Sequence, residues 1–142
     1  MGDRTEAALV IDAPAAAILD VVADVERYPE WANGIKEAEV LETAPDGRPA
    51  QARFRIDAGP VKDEYVIAYE WAPDSVTWSL VSAKVLTAMD GAYTLSPADG
   101  GTEVGYRLTV DLAMPMLGLI KRKAERAVVD TALKDLRRRV EG

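Results

Sequence analysis

The side chains of this sequence that could carry chemistry are carboxylates, tyrosines, lysines and arginines, because its 142 residues include no histidine and no cysteine. Ser-His-Asp and Cys-His nucleophilic catalysis and nearly all zinc sites are excluded on that ground, as are disulfides and thiolate chemistry. Any proton transfer falls to the groups that remain. Tyrosine stands out among them by position: Tyr65, Tyr69, Tyr93 and Tyr106 fall with Phe54 and Trp78 on the apolar parity of alternating stretches. A tyrosine with its ordinary pKa of ~10 is a poor base at neutral pH. The chemistry these residues suggest first is hydrogen bonding, since a hydroxyl on a covered face needs a partner or a water. Two readings stay open: a partly polar space walled by aromatic rings, or an aromatic core whose hydroxyls reach its rim.

The elements that would hold these tyrosines can be read in order. Thr5 to Ile11 reads as a strand, and Asp12-Ala13-Pro14 as a helix start, with Asp12 or Ala13 near the cap and Pro14 in the first turn. Ala15, Ile18, Leu19, Val22 and Val25 give that helix one apolar face. It is expected to end by Tyr28-Pro29, because a residue before proline is pushed out of the α region. Pro29 to Ala32 then reads as a further short turn, closed by Asn33-Gly34. From Ile35 to Asp111 the period switches from 3.6 to 2. Six strands are expected there, about Ile35–Thr43, Gln51–Ala58, Glu64–Trp71, Ser75–Val81, Ala88–Leu95 and Thr102–Leu112. The short links between them imply an antiparallel meander with one wet and one covered face. Arg53, Arg55 and Arg107 fall on the wet parity, opposite the aromatic one.

Only the last element is long enough to cover that sheet. Pro115 to Glu141 runs without a breaker, a helix of roughly 40 Å at 1.5 Å per residue. Leu117, Ile120, Ala124, Ala127, Val128 and Thr131 form one stripe, and Val129, Leu133, Leu136 and Val140 a second. The first stripe is taken over by Asp135, Arg138 and Arg139 near the end, and its middle is thin, alanine and threonine where a packed core favours leucine. Small residues there either let the helix approach the sheet closely or leave a space unfilled.

A chain of this size is expected to form a single domain over residues 1–142. No apolar run reaches the ~18 residues of a membrane span. The first residues, Met1 to Glu6, show no basic segment followed by an apolar one, so a cytoplasmic location is expected. A formal net charge of −7 argues against nucleic acid as a partner. The charge is uneven, eight Lys/Arg against four Asp/Glu from Pro115 onward and nine against twenty before it. A solvated basic helix face on an acidic body accounts for this. No cofactor and no metal site is expected.

The order strand, two helices, six strands, long helix, with Tyr28-Pro29-Glu30-Trp31 closing the helical pair, resembles the START-like or Bet v 1-like (SRPBCC) superfamily. Ile11-Asp12-Ala13-Pro14, Val76-Thr77-Trp78-Ser79-Leu80, Gly91-Ala92-Tyr93-Thr94-Leu95 and Gly101-Thr102-Glu103-Val104 carry the likeness, which covers essentially the whole chain. More narrowly the sequence is similar to the bacterial polyketide cyclase/dehydrase and lipid-transport family, related to coenzyme-Q-binding and ribosome-associated toxin proteins. The resemblance implies an α+β helix-grip fold of order β-α-α-β6-α, a seven-stranded antiparallel sheet wrapped around the C-terminal helix with a hydrophobic cavity between them.

The function this implies is binding of a hydrophobic small molecule of lipid, polyketide or isoprenoid-quinone type, by a monomer or homodimer. The residues expected to bind it are Trp31, Phe54, Tyr65, Tyr69, Trp78, Tyr93, Tyr106, Leu117, Ile120 and Ala124, with entry between Trp31 and Leu117-Ile120. One alternative is a polyketide cyclase or dehydrase acting in the same cavity. Such cyclases use polar cavity residues, notably Arg and Tyr, and the wet parity of Arg53, Arg55 and Arg107 departs from that pattern. A second alternative is a ribosome- or membrane-associated role through Lys121-Arg122-Lys123, Arg126 and Arg137-Arg138-Arg139.

Overall fold

The computed structural model describes residues 5–58, 61–112 and 118–142 of the chain. Strand β1 (Thr5–Ile11) leads into helix α1 (Ala15–Ala23), a single 3-10 turn (Val25–Arg27) and the short helix α2 (Tyr28–Trp31). Six strands follow: β2 (Ile35–Thr43), β3 (Pro49–Ala58), β4 (Val61–Ala72), β5 (Ser75–Ala83), β6 (Leu86–Ala98) and β7 (Gly101–Leu112). Helix α3 (Gly118–Glu141) ends the chain. The strands form one antiparallel sheet in the order β1-β7-β6-β5-β4-β3-β2. This is the expected α+β helix-grip arrangement. The expected helix positions Pro115 and Leu117 lie outside the described residues.

Local chemistry explains most of the boundaries. The Ala44–Gly47 turn closes with Gly47 N–H donating to the Ala44 carbonyl at 2.9 Å, and Asp46 Oδ1 accepts from Arg48 N–H at 3.0 Å. Gly47 holds φ at +88°, which a side chain would resist. β4, β5 and β6 run longer than alternation indicated, and Pro97 is accommodated one residue from the end of β6.

Two expectations near the helical pair need correction. Pro14, in an extended conformation, is the residue that caps α1, and no side chain caps it. Asp12 is instead drawn into a long-range contact, its N–H donating to Glu141 Oε2 at 2.9 Å. Tyr28 is not expelled from the α region by Pro29: its φ and ψ of −53° and −39° are helical, and Pro29 occupies the first turn of α2. Proline at such a position loses no intrahelical bond, so a fresh helical turn starts where the longer helix was expected to stop.

The core is shared by three surfaces. Ile18, Leu19, Val22 and Val25 come from the α1 segment, Ile11, Val76, Leu95 and Val104 from the sheet, and Val129, Leu133 and Leu136 from α3. The α3 contribution is the second of the two helical stripes, buried almost completely. The contacts of α3 concentrate on β1, β7 and α1. The helix therefore rests on one edge of the sheet, and β3, β4 and β5 rise beyond it.

Candidate functional site

Where α3 leaves the sheet, a cavity of about 500 Å³ lies between them, closed on one side by α2 and the start of β2. All five tyrosines of the chain line it, with Trp31, Trp78 and the sole phenylalanine, Phe54. Helix α3 faces it with Ala127, Val128, Thr131 and Ala132. The thin stripe of the helix thus borders open space, and the leucine-bearing stripe packs. Val128 is 40 % exposed, an aliphatic side chain left at the border of that space.

Pairing brings the aromatic residues together. Phe54 stands opposite Tyr65 across β3 and β4, Tyr69 opposite Trp78 across β4 and β5, and Tyr93 opposite Tyr106 across β6 and β7. Their rings form two runs: Trp31, Tyr28, Phe54 and Tyr65 at centroid spacings of 5.1–5.7 Å, and Tyr69, Trp78, Tyr93 and Tyr106 at 4.7–6.3 Å. Edge-to-face geometry dominates the second run, and Tyr93 and Tyr106 meet at 86°.

The hydroxyls differ in their partners. Tyr28 donates to the Val22 carbonyl. Tyr93 and Tyr106 are only 8 % and 9 % exposed and form no hydrogen bond with any described residue. Burial raises all five phenols above their usual value, Tyr93 further through Tyr106, Tyr28 and Asp135, and Tyr65 through Tyr106 and Asp63. At neutral pH these groups are hydrogen-bond donors and not bases.

Of the expected site residues, Trp31, Phe54, Tyr65, Tyr69, Trp78, Tyr93 and Tyr106 all line the cavity. Leu117 lies outside the described residues, and of Ile120 and Ala124 only the helical backbone is described. Sequence reasoning missed Tyr28, Glu125 and Asp135. The carboxylates are 3 % and 5 % exposed, ten residues apart on α3, or about 15 Å along its axis. Glu125 Oε2 accepts from Val110 N–H at 3.1 Å. Asp135 Oδ2 accepts from Asn33 N–H at 2.8 Å, and its Oδ1 pairs with Arg138 at 3.3 Å. A signal for Glu125 existed, since it stands four residues before Val129 and extends the buried stripe backward.

The arginines keep to their expected side. Arg53 bridges Glu37, Glu39 and Glu64 on the outer face of the sheet, and Arg55 joins Glu37. Arg107 is exposed. Part of the basic character of α3 serves docking: Arg126 donates to the Glu6 carbonyl at 3.0 Å, and Arg139 pairs with Glu30 at 3.2 Å. Among the described residues no group of three or more acidic side chains is placed to hold a metal ion, and no helix is long and apolar enough to cross a membrane.

Comparison with known proteins places this arrangement. The family model described as polyketide cyclase / dehydrase and lipid transport matches residues 11–137. A START superfamily protein from Mycobacterium smegmatis superposes with a TM-score of 0.90 at 24 % identity, covering 99 % of this chain and 98 % of its own. The Zhui aromatase/cyclase from Streptomyces sp. R1128 gives 0.80 at 16 % identity, with 99 % and 94 % covered. A STAR-related lipid transfer protein from Xanthomonas axonopodis gives 0.74 at 18 %, with 98 % and 86 % covered. At these identities the likeness carries the fold.

Proposed function

This chain belongs to the polyketide cyclase / dehydrase and lipid transport family, and from that premise we propose that it binds a hydrophobic small molecule between the sheet and α3. The observation that carries the proposal is the convergence of every tyrosine of the chain on one cavity of about 500 Å³. That volume lies within the range of roughly 300–1,000 Å³ typical of small-molecule sites. Apolar side chains such as Ile35, Ile56, Ile67, Leu86, Met89 and Leu108 supply the remaining wall. A guest burying about 300 Å² of apolar surface gains roughly 7 kcal/mol before the cost of association. Direction comes from the phenols, fixed donors around an oily space.

The test is native mass spectrometry of the protein incubated with isoprenoid quinones, fatty alcohols and aromatic polyketides, with tryptophan fluorescence read in parallel. A stoichiometric adduct with one class is the expected result. A protein that stays empty against all of them overturns the proposal.

One observation favours a second reading, cyclase or dehydrase chemistry in the same space: Glu125 and Asp135 both line it. With the phenols protonated, these two carboxylates and Asp57 are, among the described lining residues, the groups able to accept a proton. In this reading Glu125→Gln abolishes turnover of a candidate poly-β-ketone while binding persists. Turnover that is absent in the unmodified protein, or unaffected by this change and by Asp135→Asn, overturns it.

A further inference from the structure

We propose that the outer face of strands β4 to β7 is the contact surface for a second copy of this chain, joined face to face about a two-fold axis. On that face, away from the cavity, lies a groove of about 530 Å³, lined by the small residues Ala68, Thr77 and Ser79 and by the charged residues Glu70, Asp90 and Arg107. The charged groups differ from their neighbours on the same face. Arg53 bridges Glu37, Glu39 and Glu64, and Arg55 joins Glu37. Arg107 forms no ion pair with any described residue, Glu6 opposite it on β1 included, and neither does Glu70 or Asp90. All three are exposed.

Strand register fixes where these charges stand. Glu70, Thr77, Ala92 and Arg107 form one row across the four strands, and Ala68, Ser79, Asp90 and Thr109 form the next. Neighbouring strands lie about 4.8 Å apart, so Glu70 and Arg107 sit roughly 14 Å from one another at the two ends of their row. Only a threonine and an alanine separate them. A two-fold axis running along the strands between β5 and β6 exchanges the ends of each row. It sets Glu70 of one protomer over Arg107 of its partner, twice, and Asp90 over the Ser79 hydroxyl, twice. Packed sheets stand about 10 Å apart, a gap that facing Glu and Arg side chains span while the small residues between them let the sheets approach. An axis running across the strands would set Glu70 over Glu70 and Arg107 over Arg107. Charge therefore selects one orientation, and the surface complements itself.

The test is sedimentation equilibrium of the protein from about 1 μM to about 1 mM, in about 0.15 M salt, where repulsion between the acidic bodies is screened beyond about 8 Å. A monomer in equilibrium with a dimer is expected. Glu70→Arg and Arg107→Glu, each alone, bring like charges face to face and are expected to weaken the dimer at least about tenfold. Both side chains are exposed, and far-ultraviolet circular dichroism checks that each variant stays folded. Mixed in equal amounts, the two variants are expected to form a heterodimer as tight as the original, because each supplies the charge that the other has lost. A protein monomeric at every concentration overturns the proposal. So does a dimer that survives both single reversals, or one that mixing fails to restore.

Discussion

The indole of Trp78 lies directly on the backbone of Gly91, its partner across β5 and β6, so closely that a Cβ on Gly91 would stand 2.2 Å from the ring. Glycine here is a matter of space: the ring that forms part of the cavity wall can lie flat only because its neighbour has no side chain. Gly91→Ala is expected to lift Trp78 toward the cavity, costing about 1–3 kcal/mol of stability as overpacking does. Urea unfolding measures the cost, and a changed tryptophan emission with weaker guest binding reports the displaced ring. Unaltered emission and affinity would mean that the indole does not set the shape of the space.

The tyrosine hydroxyls are expected to divide into two classes. Tyr28→Phe removes the bond to the Val22 carbonyl and should lower stability by about 1 kcal/mol. Tyr93→Phe and Tyr106→Phe remove hydroxyls that hold no described partner, so stability should change by less than about 0.5 kcal/mol. Affinity for an oxygen-bearing guest should fall by roughly 1 kcal/mol for each. Chemical denaturation and titration of the same variants separate the classes, and equal stability losses in all three would contradict the assignment.

Asp63 clamps the link between β5 and β6. Its carboxylate accepts from the backbone N–H groups of Glu64, Lys84, Val85 and Leu86 at 2.7–3.2 Å. Asp63→Ala leaves several of these donors without an acceptor and is expected to cost about 2–4 kcal/mol. Loss of guest binding should accompany it, because Leu86 at the end of the clamp lines the cavity. A thermal melt shifted by less than a degree would refute this role.

Alkaline pH should unfold the protein through its phenols. All five have pKa values raised in the folded state, chiefly by burial, so above about pH 10 the unfolded chain releases protons that the folded one retains. Stability is therefore insensitive to these groups at neutral pH and falls as pH rises past the ordinary tyrosine value. Phenolate absorbance near 295 nm should appear together with the loss of near-ultraviolet circular dichroism. Phenolate forming gradually in the intact fold would count against burial as the cause of the raised values.

Much of this arrangement was legible in advance, because it depends on periodicity. The parity of Phe54, Tyr65, Tyr69, Trp78 and Tyr106 assigned a face, and the sequence separated the Ala127-Val128-Thr131 stripe from the Val129-Leu133-Leu136 one while leaving open whether the first approaches the sheet closely or borders a space. The illegible parts depend on partners far along the chain. Asp135 is tied to a backbone N–H 102 residues away, and the N–H of Asp12 is taken by a residue 129 positions distant. Such contacts leave no local signature. Tyr28 was hidden differently: the proline after it argued for a helix end, whereas the residue starts a new turn and points inward.

The alanines and threonine of α3 also set a thermodynamic condition on the free protein. An evacuated void of some 500 Å³ at about 24 cal/mol per Å³ would cost on the order of 12 kcal/mol, as much as the whole stability of a typical domain. A fold with this geometry therefore persists in water by keeping the interval wet, with roughly fifteen solvent molecules in about 500 Å³ anchored on phenols and carboxylates. Capture of a guest is then an exchange, in which occupancy is decided by what the departing solvent regains in bulk.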